Sequence, residues 1–290
     1  MRRRPSRTAG ISMKTLSLGY SPCPNDTFIF YALVHGKIMT EGITFREILE
    51  DVETLNQMAR RSELDVTKAS FHAYGHLREQ YCLLRSGGAL GKGCGPLLVA
   101  RENMGIEDLG NKTVAVPGRL TTALLLLRIF GFSSGENIRV MPFDRIVDSV
   151  KSGRTDFGLI IHESRFTYQR AGLKKVMDLG EWWEKETGLP LPLGGILAKR
   201  ALGGPLIGKI GALIRASVEY AFSHSTEPLS YIRKHSQEME EEVIEKHIAL
   251  YVNPYSLDVG DEGVRAVEEL FRRSEEKGII PRSSHPLFGP

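Results

Sequence analysis

The order in which strand-like and helix-like segments follow one another limits the fold of this chain more than any other feature of its sequence. Short apolar runs rich in β-forming residues alternate with longer segments whose apolar residues have helical spacing. This alternation is typical of an α/β fold, and 290 residues are enough for one large domain or two of ordinary size. Strands are predicted at 16–20, 65–69, 113–116 and 157–161, and helices at 27–35, 52–61, 72–80 and 121–130.

Two similar segments, at 95–101 and 193–199, predict how the chain is divided. Each is an apolar strand that contains or follows Gly or Pro and ends in a basic residue. We interpret them as two crossings between two lobes; two ordinary strands in one sheet are the alternative. The chain then begins with a flexible N-terminal extension at 1–12. A discontinuous first lobe is formed by 13–99 together with 198–290, and a second lobe at 100–197 is inserted into it.

The charge balance does not suggest a nucleic-acid partner. Lys and Arg number 38 against 35 Asp and Glu, but four of the arginines lie within the first seven residues, so the remainder is close to neutral. No apolar run approaches the roughly 18–20 residues of a membrane-spanning helix. The composition therefore gives no signal for a nucleic-acid or membrane partner, and the sequence does not reveal the oligomeric state.

The cysteines bear on the compartment. Cys23, Cys82 and Cys94 show neither a CxxC motif nor the spacing of zinc ligands, and a sparse, odd set fits a reducing compartment. No apolar segment of the kind found in secretion signals follows the arginine-rich start, and Met13 is an alternative start. We therefore expect a cytoplasmic protein.

Polar residues cluster at four predicted strand ends, which should face one cleft because open α/β sheets bind ligands beyond the carboxyl ends of their strands. The first junction contains Ser21, Asn25 and Asp26; its Asn/Asp pair caps the next helix or meets a polar ligand. The second is Lys68-Ala69-Ser70, where Ser70 is a helix cap or a donor to a substrate.

The third junction combines Gly118 with Thr121 and Thr122 at the start of an apolar helix. The free amides and dipole of a helix N-terminus favour anions, and without the GxxxxGK[ST] spacing a carboxylate is a better candidate than a triphosphate. A helix capped by threonine, with no ligand role, is the alternative.

The fourth junction places His162 directly after a buried strand, where the ring could reach the cleft. Histidine titrates near neutrality and is the usual general base. Glu163 and Ser164 do not have the spacing of a nucleophile triad, and no G-x-S-x-G motif is present. A capping or core histidine is the alternative to a catalytic one.

A second pair of histidines, His72 and His76, is four residues apart and superficially resembles a zinc pair. Ala73 occupies the position of the glutamate of an HExxH motif. We therefore predict no metal, and expect these residues to be core or surface histidines.

The motifs at these junctions together closely resemble the 1,4-dihydroxy-6-naphthoate synthase family of the futalosine route to menaquinone, from about residue 13 to residue 288. The segments that carry the resemblance are SPCPNDTFIFYALVHG, LEDVETLN, RSGGALGKGCGPLLVAR, VAVPGRLTTA, GLIIHESRFTY and WWEKETGLPLPLGGILA.

The resemblance implies a two-lobed fold like that of the type 2 periplasmic binding proteins, used by a cytoplasmic enzyme. It implies a carbon–carbon lyase that converts cyclic dehypoxanthine futalosine, which carries a carboxylate, to 1,4-dihydroxy-6-naphthoate and a sugar-derived dicarbonyl fragment. No redox cofactor or metal is implied. By the same resemblance the base is His162, and the substrate-binding residues are Lys68, Ala69, Ser70, Thr121 and Thr122.

Two other functions fit the same fold. A non-catalytic solute-binding protein should show a signal peptide or a lipid-anchor cysteine, and neither is present in this sequence. A sibling activity, chorismate dehydration, fits the HES and PGRLTTA motifs less well.

Overall fold

The computed structural model describes residues 14–101, 104–132, 135, 137–237 and 240–290, and the predicted extension at 1–12 lies outside them. The described strands are β1 (Lys14–Tyr20), β2 (Ile43–Leu49), β3 (Val66–Ser70), β4 (Tyr81–Leu83), β5 (Ala89–Gly91), β6 (Leu97–Ala100), β7 (Val114–Val116), β8 (Ile138–Val140), β9 (Phe157–Ile160), β10 (Lys174–Asp178) and β11 (Leu191–Lys199).

The described helices form much of the rest of the chain, and the last third is mostly helical. They are α1 (Pro24–Val34), α2 (Val52–Arg60), α3 (Phe71–Gly75), α4 (Thr122–Phe130), α5 (Phe143–Lys151), α6 (Ser164–Thr167), α7 (Leu179–Thr187), α8 (Gly204–Ser223), α9 (Leu229–His235), α10 (Glu241–Tyr251), α11 (Pro254–Leu257) and α12 (Gly260–Glu276), with 3₁₀ turns at Ile106–Asn111, Tyr168–Ala171 and Arg200–Leu202. Within the described residues, none of these helices combines the length and the apolar character needed to cross a bilayer.

The strands form two separate sheets. The first has the order β2-β1-β3-β11-β4, with β5 also paired to β11, and the second has the order β10-β6-β9-β7-β8. β1 is parallel to β2 and β3, whereas β11 is antiparallel to β3. In the second sheet β7 is parallel to β8 and β9, and β6 is antiparallel to β9. The predicted α/β class is confirmed.

The chain passes between the sheets twice, next to the two segments that predicted crossings. It leaves the first sheet after β5 and enters the second at β6, then returns between β10 and β11. The alternative in which β6 and β11 share one sheet is therefore wrong. The numerical division into lobes at 13–99 with 198–290 and at 100–197 stays a prediction.

The two crossings lie side by side because two glycines allow their backbones to touch. A Cβ atom on Gly95 would lie 2.2 Å from the Gly180 nitrogen, and the Leu179 amide donates to the Pro96 carbonyl at 3.0 Å. No side chain larger than hydrogen fits at this contact without moving one crossing away from the other.

Helix α1, which leads out of the first junction, is held on nearly all sides. Its residues from Pro24 to Leu33 are buried, as expected for a helix that is apolar around its circumference. Ser217 on α8 donates to the Ile29 carbonyl at 2.6 Å and accepts from the Leu33 amide at 3.2 Å. The helix is thereby fixed relative to α8, and so are the polar residues of its first turn.

Two of the predicted helices differ from the observed ones. Helix α1 starts at Pro24 with Cys23 as its N-cap, so Asn25 and Asp26 lie in its first turn and the prediction that either caps it is wrong. Proline is well suited to the first helical turn because its φ angle is already helical. Helix α3 ends at Gly75, not at residue 80, where the chain turns toward β4.

Candidate active site

Four strand ends meet at one cavity between the sheets, as the sequence predicts. The cavity encloses about 680 Å³ of empty space, including its opening to solvent. It lies beyond β1, β3, β7 and β9. The predicted site residues that line it are Ser21, Asn25, Asp26, Lys68, Ala69, Ser70, Thr121, Thr122 and His162.

Gly118 is the predicted residue that lies outside this lining. A Cβ atom there would lie 2.4 Å from Oε2 of Glu53, whose carboxylate also accepts from the Leu120 amide at 3.1 Å. Gly118 therefore makes room for a contact between α2 and the turn before α4, and it does not face the cavity.

Sequence reasoning missed the apolar part of the lining. Leu193 and Gly194 belong to β11, and Tyr251 ends α10. The crossing segments at 95–101 and 193–199 contain four of the missed positions and could have indicated those, whereas nothing in the helical pattern marks Tyr251 as a cavity residue. The missed lining residues are Val52, Ala89, Cys94, Gly95, Pro96, Ala123, Ile161, Leu193, Gly194 and Tyr251.

A buried ion pair lies at one side of the cavity. Lys68 Nζ is 2.7 Å from Asp26 Oδ1, and both side chains are less than a tenth exposed. Asp26 Oδ2 also accepts from the Ser21 hydroxyl at 2.8 Å and from the Ser21 amide at 3.2 Å. Buried charges need this compensation, and an ammonium group carries three donors, of which Asp26 takes one.

A chain of hydrogen bonds extends from this pair to a second buried histidine. Asn25 Nδ2 donates to Asp26 Oδ1 at 2.8 Å, so its Oδ1 is the acceptor in the 2.9 Å contact with His247 Nε2. His247 therefore carries its proton on Nε2. Burial lowers the pKa of His247 well below its usual value, with the neighbouring charges of His162 and Lys68 acting in the same direction.

His162 occupies the fourth strand end in an unusual backbone conformation. Its φ is 55°, in the left-handed region that few non-glycine residues adopt and that often marks functional sites. The ring lies 5.0 Å from that of Phe143 and 6.1 Å, nearly parallel, from that of His247. Burial lowers the pKa of His162 to about 4, although the charge of Asp26 opposes the shift. The imidazole is thus neutral at pH 7 and has a lone pair to accept a proton.

The N-terminus of α4 is capped as the sequence predicts. The Thr121 hydroxyl accepts from the Leu124 amide at 3.4 Å and donates to the Gly118 carbonyl at 3.0 Å. The Thr122 hydroxyl accepts from the Phe71 amide at 2.9 Å and donates to the Leu193 carbonyl. Thr122 thereby joins α4 to α3 and β11 at the edge of the cavity.

Ser70 is oriented from outside the cavity by Asn56. The Ser70 amide donates to Asn56 Oδ1 at 2.9 Å, and Asn56 Nδ2 donates to the Ser70 hydroxyl at 3.2 Å. Ser70 occupies the N-cap position of α3, but its side chain makes no capping hydrogen bond. Its hydroxyl hydrogen is therefore available to an acceptor in the cavity, which favours the ligand role over the cap.

The described residues contain two groups of side chains of the types that bind metals, one a pair of histidines and the other a mixed group of three residues. The rings of His72 and His76 are 5.6 Å apart; His72 is buried, and burial lowers its pKa to about 3, as for a core histidine. Cys23, His162 and Glu163 form a second group whose potential ligand atoms all lie within 4.8 Å of one another. Sequence spacing did not indicate this second group, because Cys23 is far from the other two along the chain.

Comparison with known proteins assigns the chain to a functional class. A family model for menaquinone biosynthesis matches residues 16–276. The chain is 53% identical over 278 residues to a 1,4-dihydroxy-6-naphtoate synthase of Thermus thermophilus, covering 95% of this chain and 100% of the relative. It is 44% identical over 279 residues to a protein of the same name from Streptomyces coelicolor, covering 93% and 96%.

Solved structures identify the architecture. Protein AF1704 from Archaeoglobus fulgidus matches with a TM-score of 0.85 at 36% identity, over 92% of this chain and 98% of that chain. The alkanesulfonate-binding protein SsuA from Xanthomonas axonopodis pv. citri, bound to MOPS, matches with a TM-score of 0.69 at 12% identity, over 93% and 96%. The second likeness concerns the fold alone. The two sheets and their cleft form the two-lobed, type 2 periplasmic-binding-protein-like fold.

Proposed function

The chain belongs to the menaquinone biosynthesis family and is an enzyme of that pathway. We propose that it is a 1,4-dihydroxy-6-naphthoate synthase. Its substrate is cyclic dehypoxanthine futalosine, and its products are 1,4-dihydroxy-6-naphthoate and a sugar-derived dicarbonyl fragment. The observation that carries the proposal is the convergence of four polar strand ends on one cavity, with a neutral histidine at the fourth. Both relatives that bear this name match over nearly their whole length.

The reaction is a carbon–carbon bond cleavage followed by elimination. His162 takes the proton of a hydroxyl group on the sugar-derived ring. The electron pair left on that oxygen forms a carbonyl as the adjacent carbon–carbon bond breaks. The pair of the broken bond forms the new ring double bond by expelling an oxygen leaving group, which takes back the proton from His162, and this elimination completes the second aromatic ring. Aromatisation of the second ring drives these reaction steps. Because no step changes the total number of electrons, the reaction requires neither a redox cofactor nor a Lewis acid. A positioned general base contributes roughly 10²–10⁴-fold, and orientation in a closed cleft supplies the rest.

The substrate carboxylate binds at the N-terminus of α4. Because Asp26 pairs with Lys68, that pair adds no net charge to the cavity. The positive end of the nine-residue helix α4, whose first turn contains no acidic residue, suits an anion at the cavity. Thr121 and Thr122 lie at this end, while Lys68, Ala69 and Ser70 contact the substrate from the other sheet.

In this proposal the two lobes close on the substrate, and the protein works in the cytoplasm. The cavity lies between the sheets, so a substrate there contacts residues of both, and closure excludes water from the reacting atoms. Cys23, Cys82 and Cys94 are all free thiols, which fits a reducing compartment.

The test is direct conversion of the substrate. Purified protein is incubated with cyclic dehypoxanthine futalosine, and the naphthoate is identified by its mass; chorismate in a parallel reaction serves as the substrate of the sibling activity. Appearance of the naphthoate with the first substrate alone supports the proposal. Turnover of chorismate, or binding of the futalosine without turnover, rejects it in favour of the sibling enzyme or of a solute-binding protein.

A further inference from the structure

Three side chains of the types that bind metals, those of Cys23, His162 and Glu163, lie close together beside the cavity. The proposed reaction uses only His162 and assigns no role to the other two. The potential ligand atoms of Cys23, His162 and Glu163 lie within 4.8 Å of one another. Cys23 and Glu163 are about 5–6% exposed, whereas His162 is half-buried and lines the cavity. An ion from the cleft would therefore meet His162 first, with the other two side chains behind it.

The backbone holds this group rigidly on both sides. Cys23 lies between two prolines and is the N-cap of α1, where its carbonyl accepts from the amides of Asp26 and Thr27 at 3.1 Å. His162 and Glu163 are consecutive and lie in the short turn between β9 and α6, one residue after the strand ends. The arrangement is thus formed by the N-cap of α1 and by the short turn that joins β9 to α6.

The ligand set has the chemistry that Zn²⁺ prefers. Tetrahedral zinc takes thiolate, imidazole and carboxylate ligands with a water in the fourth position, and its bond lengths place ligand atoms about 3.3–3.6 Å apart. Side-chain movements of about 1 Å would bring the three atoms to that separation. A thiolate, a carboxylate and a neutral imidazole offset the two positive charges of the ion, so the occupied site would be neutral in a buried place.

We propose that Cys23, His162 and Glu163 form a site for one Zn²⁺ ion, and that the bound ion inhibits the enzyme reversibly. Coordination takes the lone pair of the His162 nitrogen that would otherwise accept a proton, and it places an ion at the wall of the substrate cavity. The metal site stands without the proposed function; only its inhibitory effect rests on it.

Binding is tested on the full-length protein without substrate. Equilibrium dialysis against low-micromolar Zn²⁺ should give one ion per chain, and Co²⁺ as a spectroscopic substitute should give a thiolate-to-cobalt charge-transfer band. Cys23→Ser should abolish the band and weaken Zn²⁺ binding at least about tenfold. The matched control is Cys82→Ser: Cys82 is a buried thiol on β4, where its sulfur donates to the Ala198 carbonyl at 3.6 Å, and a hydroxyl can replace it.

The outcomes decide the proposal at each step. Wild-type protein and Cys82→Ser that both bind one ion and show the band, together with a Cys23→Ser variant that does not, support the site. Absence of the band in wild type, or undiminished Zn²⁺ binding by Cys23→Ser, overturns it. If circular dichroism shows that Cys23→Ser is unfolded, Glu163→Gln is used instead and should likewise weaken binding at least about tenfold; equal affinity rejects the site.

Inhibition is measured separately, on turnover of the cyclic futalosine. Added Zn²⁺ should suppress the rate, a chelator should restore it, and saturating substrate should weaken the effect because both occupy the cavity. Unchanged turnover at a Zn²⁺ concentration that fills the site by dialysis contradicts the inhibitory role. Failure of the proposed function is recognised differently, because the protein would then bind Zn²⁺ but convert no futalosine even without metal.

Discussion

At the scale of single residues, the ion pair between Lys68 and Asp26 is the feature with the largest expected energetic consequence. Removing one member leaves the other as an uncompensated buried charge, which typically costs about 3–5 kcal/mol. We therefore expect Asp26→Asn to lower the free energy of unfolding by about that amount, measured by urea denaturation. Glu219→Gln, which breaks the half-exposed pair with Arg215, should cost less than about 1 kcal/mol. Similar losses of unfolding free energy in both variants would show that burial does not make the Lys68–Asp26 pair more important than an exposed pair.

The pH dependence of stability should reveal the buried state of His72. Burial lowers the pKa of His72 in the folded protein to about 3, the charges of His76 and Arg128 act in the same direction, and a backbone hydrogen bond with Thr121 opposes them. Below pH 6.5 the unfolded chain binds a proton that the folded chain does not, so stability falls as the pH falls. The slope from one such histidine is at most about 1.4 kcal/mol per pH unit.

The measurement compares wild type with His72→Gln, whose side chain does not titrate. Urea unfolding between pH 6.5 and pH 4 should show a shallower loss of stability in the variant, by up to about 1.4 kcal/mol per pH unit. Above pH 6.5 the difference between the two proteins should be constant. Parallel curves throughout the acid range would show that His72 is not held neutral by the fold.

At the scale of secondary structure elements, the start of α4 tests how the carboxylate is bound. Thr122→Val removes the hydroxyl that joins α4 to α3 and β11 and that lies at the cavity edge. If this hydroxyl turns its hydrogen from the Leu193 carbonyl to the carboxylate when the substrate binds, calorimetry should show a loss of about 1.5–3 kcal/mol for the acid, the range of hydrogen bonds to charged groups. Thr122→Ser, which keeps the hydroxyl, is the control.

A substrate analogue without the carboxylate separates the two roles of Thr122. The analogue should bind Thr122→Val and wild type almost equally if the hydroxyl acts through the carboxylate. An equal loss for acid and analogue would leave Thr122 as a structural residue, and the anion would then be bound by another part of the cavity.

The elements that could be predicted from sequence are those whose signal is local. The strands β7 and β9 have apolar runs, β1 and β3 have short β-forming segments before helical ones, and Thr121 has the residue type and position of an N-cap. The start of α1 was predicted wrongly although Pro24 is a local signal for a first helical turn, and the end of α3 was predicted wrongly because a tertiary contact sets it. Gly75, for example, packs against Ile280, more than two hundred residues further along the chain, and no local pattern contains that contact.

The same distinction applies to the candidate site. The polar residues at strand ends were predictable, because a strand's carboxyl end is a local feature and parallel strands bring such ends together. The position of Tyr251 at the cavity and the proximity of Cys23 to His162 were not predictable, since each depends on how distant segments pack.

At the scale of the whole molecule, the contact of the two crossings determines how the sheets sit around the cavity. Gly95→Ala places a methyl group within 2.2 Å of the Gly180 nitrogen, so one crossing must move. We expect a loss of about 1–3 kcal/mol in unfolding free energy, the range for overpacking, together with weaker substrate binding. At Gly110 an added Cβ atom meets nothing within 4 Å, so Gly110→Ala should leave the unfolding free energy and substrate binding close to wild type. Unchanged stability in Gly95→Ala would show that the crossings are free to separate.

The central claim is that one histidine at the end of β9 acts as the base in a cleft formed by both sheets, and His162→Asn tests it most directly. Asparagine tolerates the left-handed backbone at this position better than most residues but cannot take up a proton at neutral pH. Turnover of cyclic dehypoxanthine futalosine should fall by at least about 10²-fold, with the thermal unfolding midpoint and circular dichroism close to wild type. Turnover within about threefold of wild type, far below any general-base effect, would contradict the account.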